Sequence, residues 1–128
     1  MRVSVVIPVF NELATLTALL DKVDAIAIDK EVIIVDDCST DGTRDLLASM
    51  KRPDRIIVFH DQNEGKGSAL RTGFSHATGD YVLIQDADLE YDPSYYDKIM
   101  VLAIKFDADI VIGSRLLGGE YTRVHYFW

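Results

Sequence analysis

Asp86-Ala87-Asp88, with Glu90 two residues further on, sets three carboxylates at alternate positions directly after an apolar run, Tyr81 to Ile84. In an extended segment alternate side chains point the same way, so the three acids crowd one side of the chain. Like charges that close raise one another's pKa unless a cation neutralises them. An all-oxygen donor set of this kind suits Mg2+ or Mn2+, with water and a substrate phosphate completing the shell. The bland alternative is a group of solvated loop acids, or helix N-caps leading to Pro93. Two further polar clusters, Asn11-Glu12 and Asp36-Asp37, also follow apolar runs, which weighs toward a shared site.

Asp36-Asp37 opens the stretch to Thr43, and its carboxylates are placed to accept hydrogen bonds from a nucleobase or ribose, as acids at strand ends do in dinucleotide folds. Asp37 is the residue expected to do so. Ser39 or Asp41 can cap the next helix, and turn and capping chemistry accounts for Asp41, Gly42 and Thr43. Gly65-Lys66-Gly67-Ser68 fails as a phosphate-binding loop, because that motif needs Ser or Thr immediately after Gly-Lys. Lys66 near a helix N-terminus still offers charge to a phosphate, with a glycine turn and a solvated lysine as the alternative. Arg115 places a guanidinium fork at the same rim for phosphate oxygens, or for a surface carboxylate. His60, His76 and His125 show no metal-ligand spacing and read as structural or exposed, and Cys38 reads as inert.

These clusters need a frame. Val3 to Ile7 is a nearly continuous apolar, β-branched run expected to form a buried strand, with Pro8 forcing the chain out of the sheet. Leu16, Leu19, Leu20 and Val23 recur at helical spacing. Val32 to Val35, Arg55 to Phe59, Tyr81 to Ile84 and Ile110 to Ile112 read as further strands. Thr43 to Met50, Ser68 to Ala77 and a stretch from Pro93 read as helices, the last with Tyr95, Ile99, Leu102 and Phe106 on one face. Alternating strands and helices imply right-handed crossovers and a mostly parallel α/β sheet, covered on both faces. Ligands of such sheets bind at the carboxyl ends of the strands, where all three acidic clusters fall.

Size and composition bound the partners. At 128 residues one domain is expected, with no internal repeat or linker through Gly113. A formal charge of −8 without a Lys/Arg stripe argues against nucleic acid, whereas a small phosphorylated ligand is compatible with a divalent cation among the acids. The single Cys38 allows no internal disulfide and fits a reducing, cytoplasmic setting. No signal peptide is expected from the Val3 to Glu12 stretch, and no apolar run approaches roughly 18 to 20 residues, so the chain reads as soluble or peripheral. Residues 118 to 128 hold Tyr121, Tyr126, Phe127 and Trp128 without an evident element to bury them. They could pack on the cytoplasmic face of a membrane, form a homo-oligomer contact, or be the stump of a missing element, and the stump ranks first.

Five motifs in order, Ile7 to Glu12, Val35 to Thr43, Asn63 to Gly67, Asp86 to Asp88 and Gly113 to Arg115, resemble the family 2 glycosyltransferases. Within them the chain is most similar to the polyprenyl-phosphate sugar transferases of the dolichol-phosphate mannose synthase type. The resemblance implies a Rossmann-like GT-A fold that takes a sugar from a UDP- or GDP-linked donor, with inversion, to an acceptor such as a polyprenyl phosphate. It implies that Pro8, Phe10, Glu12, Val35 and Asp37 line the nucleoside pocket. Asp86, Ala87 and Asp88 would lie along the diphosphate, with Asp86, Asp88 and Glu90 around Mg2+ or Mn2+ and Arg115 on a phosphate. Many relatives carry Tyr at position 10 and Gln at position 90; here Phe10 lacks the hydroxyl and Glu90 adds a charge. On this reading residues 1–115 are the nucleotide-sugar-binding domain and 116–128 begin an incomplete acceptor-side region. Two alternatives stay open: a truncated, non-catalytic module that binds nucleotide and metal, and a receiver-type phosphoacceptor domain, which would carry its acidic pair after the first strand.

Overall fold

The structure is a computed structural model, and it describes residues 1–89 and 92–111. Four parallel strands, β1 (Val3–Val9), β2 (Lys30–Asp36), β3 (Arg55–Phe59) and β4 (Tyr81–Ile84), form one sheet in the order β3-β2-β1-β4. Helices α1 (Leu16–Ala25), α2 (Thr43–Ala48) and α3 (Lys66–His76) connect them, and a 3-10 turn, Pro93–Tyr95, leads into α4 (Tyr96–Lys105).

Successive side chains of a strand face opposite sides of the sheet, and both central strands are apolar on both sides. Val3, Val5, Ile7 and Val9 of β1, with Val32 and Ile34 of β2, pack against Leu16, Leu19, Leu20 and Val23 of α1, Leu47 of α2 and Tyr96 of α4. Val6, Ile33 and Val35 face the other way, onto Ala69 of α3. At Gly73 the helix lies so close to the sheet that an added Cβ would meet the Val6 side chain. Helix α3 sits over β1 and β2. Val82 and Ile84 of β4 consequently stay 44% and 46% exposed, so cover on both faces is complete for the central strands and not for β4.

Pro8 does not end β1; it pairs with Val35 inside the strand. Alternate residues of a parallel strand address opposite neighbours. Val9 O accepts from Asp37 N on the β2 side and Val6 O accepts from Gln85 N on the β4 side. Pro8 therefore turns its missing donor toward β4, where the ladder has stopped at Val6 and Ile84. The buried face of α4 is also not the expected one: Tyr96, Met100 and Ala103 meet the core, while Leu102 and Phe106 are 45% and 66% exposed. Ile110 and Val111 are not in a strand, and Ile110 is 75% exposed. Ile112, Glu90, Arg115, His125 and the boundary expected at 116 lie outside the described residues.

The chain runs outward from β1 through β2 to β3, then crosses back to place β4 on the other side of β1. That reversal puts α3 on the face opposite α1 and α2, and it makes β1 and β4 the switch point of the sheet, beyond whose carboxyl ends ligands of open α/β sheets bind. A receiver-type domain has the order 2-1-3-4-5, in which the third strand lies beside the first. Here β3 pairs with β2, which excludes that alternative. Among the described residues no helix is long and apolar enough to cross a membrane.

Candidate functional site

The exits of β1 and β2 are stapled together. Asn11 takes a left-handed φ of 53°, a conformation its short polar side chain tolerates. Asn11 N donates to Ser39 Oγ at 2.9 Å, and Asn11 Oδ1 accepts from Thr40 N at 2.7 Å. Ser39 in turn donates from Oγ and N to Asp36, a fully buried carboxylate with Arg44 Nε at 3.7 Å. Asp41 accepts from both N and Oγ1 of Thr43 at the start of α2 and from Leu13 N, as turn chemistry requires. Those bonds outweigh burial and lower its pKa.

Asp37 is wholly buried at the end of β2. Its Oδ1 accepts from Glu64 N at 2.9 Å and its Oδ2 from Gly65 N at 2.8 Å. His60 Nδ1 lies 2.8 Å from Oδ1, and His60 Nε2 lies 2.8 Å from Thr72 Oγ1 in α3. With Nδ1 as donor to the carboxylate, Nε2 accepts from the threonine hydroxyl. Asp37 thus fixes the loop before α3, and His60 is structural. The loop turns at Gly65, whose φ of +91° disfavours a side chain, and delivers Lys66 as the first residue of α3. Lys66 Nζ reaches across to Asp86 Oδ1 at 2.6 Å.

Asp86 is 6% exposed, Ala87 is buried and Asp88 is half-buried. The segment turns at Ala87 and Asp88, and Leu89 takes a φ of +65°, so the alternation expected of an extended chain does not hold here. The main chain is instead held from two sides. Tyr96 Oη donates to Gln85 Oε1 at 2.8 Å, and Gln85 Nε2 donates to Asp86 O at 3.0 Å. Thr15 Oγ1, from the start of α1, donates to Ala87 O at 2.7 Å and lies 3.1 Å from Glu12 Oε2. Burial pushes the Tyr96 phenol well above its ordinary value.

Glu12 joins the acids that follow β4 electrostatically. Burial raises its pKa, the Thr15 hydroxyl opposes that, and the charges of Asp88, Asp41 and Asp86 raise it further. The structure therefore gathers Glu12, Lys66, Asp86 and Asp88 near the exits of β1 and β4. Phe10 stands half-buried at the exit of β1, whereas Pro8 and Val35 have enclosed side chains. Among the described residues no group of three or more His, Cys, Asp or Glu side chains forms a metal site by itself. Thr15, Gln85 and Tyr96 were not singled out in the sequence, and the bonds that bring them to the site span 72 residues for Thr15 and 11 for Tyr96.

The model of glycosyl transferase family 2 matches residues 4–124. The chain belongs to that family. It is 37% identical over 123 residues to a dolichol-phosphate mannosyltransferase of Pyrococcus furiosus, covering 93% of this chain and 34% of the relative. It is 39% identical over 109 residues to an undecaprenyl-phosphate 4-deoxy-4-formamido-L-arabinose transferase of Erwinia tasmaniensis, covering 80% and 34%. Among solved structures, a Pyrobaculum calidifontis mannosyltransferase in complex with GDP-Man and Mn2+ aligns with a TM-score of 0.68 at 33% identity, over 88% of this chain and 34% of that one. The S. aureus protein TarS (1-349) in complex with UDP aligns with a TM-score of 0.72 at 25% identity, over 85% and 34%. The parallel α/β architecture implied by the family resemblance is the one found. The chain spans about a third of the length of these relatives.

Proposed function

We propose that the chain is the donor-binding part of an inverting, metal-dependent glycosyltransferase, taking a sugar from a UDP- or GDP-linked donor to a polyprenyl phosphate acceptor. The observation that carries this reading is the convergence of Glu12, Lys66, Asp86 and Asp88 beyond the carboxyl ends of β1 and β4. The mannosyltransferase that aligns with the chain holds GDP-Man and Mn2+, and both curated relatives are named for polyprenyl-phosphate chemistry.

The donor set fits a hard divalent cation. Mg2+ is usually bound through one or two carboxylates plus substrate phosphates and water, so Asp86 and Asp88 suffice without a closed protein cage. Glu12 lies close enough to add its charge. A cation held there supplies Lewis-acid stabilisation of the diphosphate leaving group. Glu90 and Arg115, both outside the described residues, are assigned to a further metal-ligand position and a phosphate contact on the family resemblance alone.

Phe10 offers a stacking face to the base. Contact with the nucleoside at Pro8 and Val35 runs through main-chain atoms, because their side chains are enclosed. Asp37 bounds the pocket from beneath the loop it anchors. Ala87, small and held by Thr15, lets the diphosphate approach the main chain. Breaking the bond from sugar C1 to phosphate oxygen leaves a nucleoside diphosphate, and Lys66 adds positive charge where that leaving group gathers. An acceptor phosphate, with a second pKa of about 6, is already ionised near neutral pH and needs no strong general base. Attack on C1 opposite the leaving group inverts the anomeric centre.

Titration calorimetry with UDP and with GDP, each with and without Mn2+, tests the reading. One nucleotide is expected to bind in a Mn2+-dependent manner; no binding by either would overturn it.

A further inference from the structure

We propose that Lys66 is a resident counter-ion, occupying the cation's place beside Asp86 while no donor is bound, and that it makes metal binding depend on arrival of the diphosphate. The inference rests on the metal site proposed above. Lys66 Nζ lies 2.6 Å from Asp86 Oδ1, with side-chain exposures of 32% and 8%. The contact is built in from several directions. Lys66 begins α3 directly after the left-handed Gly65. The amides of Glu64 and Gly65 are held by Asp37, and His60 joins the same carboxylate to Thr72 in α3. The ammonium is therefore presented to the exit of β4 by a braced loop.

Among Glu12, Asp86 and Asp88, Lys66 offsets one of three negative charges. A divalent metal on Asp86 Oδ1, at about 2.0 to 2.1 Å for Mg2+, would occupy the position the ammonium now holds. Two cations cannot share that position, so a metal that takes Oδ1 displaces Lys66. A diphosphate arriving with the metal brings new oxygens to receive the ammonium, which lowers the cost of displacement. By linkage, metal and nucleotide then each strengthen binding of the other. A lysine that served only to align Asp86 would do the opposite, and its removal would weaken the metal.

The test is Mn2+ binding to the 128-residue chain, followed by the electron paramagnetic resonance of free Mn2+, for wild type, Lys66→Met and Lys66→Arg. Lys66→Met is expected to bind Mn2+ alone about tenfold more tightly than wild type, within the usual range of coupling between sites. The enhancement of Mn2+ binding by UDP or GDP should shrink by the same factor. Lys66→Arg, which keeps the charge, should retain weak binding of Mn2+ alone. Equal or weaker Mn2+ binding by Lys66→Met, with wild type binding measurably, overturns the counter-ion role and leaves the metal site standing. Failure of all three proteins to bind Mn2+, with or without nucleotide, overturns the metal site and this inference together.

Discussion

Asp37→Asn separates anchoring of the Lys66 loop from a purely ligand-facing role for Asp37. The side chain is 0% exposed and accepts from His60 Nδ1, Glu64 N and Gly65 N at 2.8, 2.9 and 2.8 Å. Asparagine keeps the shape but exchanges one acceptor oxygen for an amide that confronts a donor. Hydrogen bonds to charged groups contribute about 1.5 to 3 kcal/mol each, and neutral ones about 1 kcal/mol. Losing one bond outright and weakening the others to neutral strength, offset in part by the lower cost of burying a neutral group, gives a loss of about 3 kcal/mol. In a domain of this size that is about 10 °C in Tm. Urea denaturation at pH 7, followed by far-ultraviolet circular dichroism, should show a lower midpoint with an unchanged slope. A variant within about 0.5 kcal/mol of wild type, the range of ordinary surface substitutions, would refute the anchoring.

At the other end of the sheet, Glu31 Oε1 accepts from Ser4 Oγ, Thr78 N and Thr78 Oγ1 at 2.5, 2.6 and 2.9 Å. Burial pushes its pKa up, but those bonds outweigh it and the carboxyl titrates below its ordinary 4.5. Its stabilisation is therefore fully present above pH 4.5 and is lost as pH falls through the lower folded value. Glu31→Gln should flatten the stability profile across that acid window, and an unchanged acid limb in chemical denaturation would contradict this. Thr15→Val removes the hydroxyl that serves both Ala87 O and Glu12 Oε2. It should cost about 1 to 2 kcal/mol and raise the Glu12 pKa further, read by carbon-13 NMR titration; an unmoved Glu12 would count against the contact.

The strands are legible because Val3 to Ile7, Ser4 excepted, and Val32 to Val35 are apolar on both faces, as expected of central parallel strands. Pro8 was misread because tolerance of its missing donor depends on where the neighbouring ladder ends, which only the register shows. In α4, Val101, Leu102 and Ile104 are apolar yet exposed, so two stripes one position apart compete and periodicity chose the wrong one. The acids gathered at the candidate site, Glu12, Asp86 and Asp88, are legible from their places after strands one and four, whereas Asp36 and Asp37 after strand two are buried loop anchors. The supporting contacts are not legible: His60 meets Asp37 across 23 residues and Lys66 meets Asp86 across 20, and no spacing rule connects residues brought together by crossovers.

The central claim is that Asp86 and Asp88 hold a divalent cation against the diphosphate of a nucleotide sugar. Calorimetric titration of UDP and GDP into wild type and Asp88→Ala, each with and without Mn2+, tests it most directly. One nucleotide is expected to bind wild type more tightly with Mn2+, and Asp88→Ala is expected to abolish the difference. Metal dependence left intact in Asp88→Ala would contradict it.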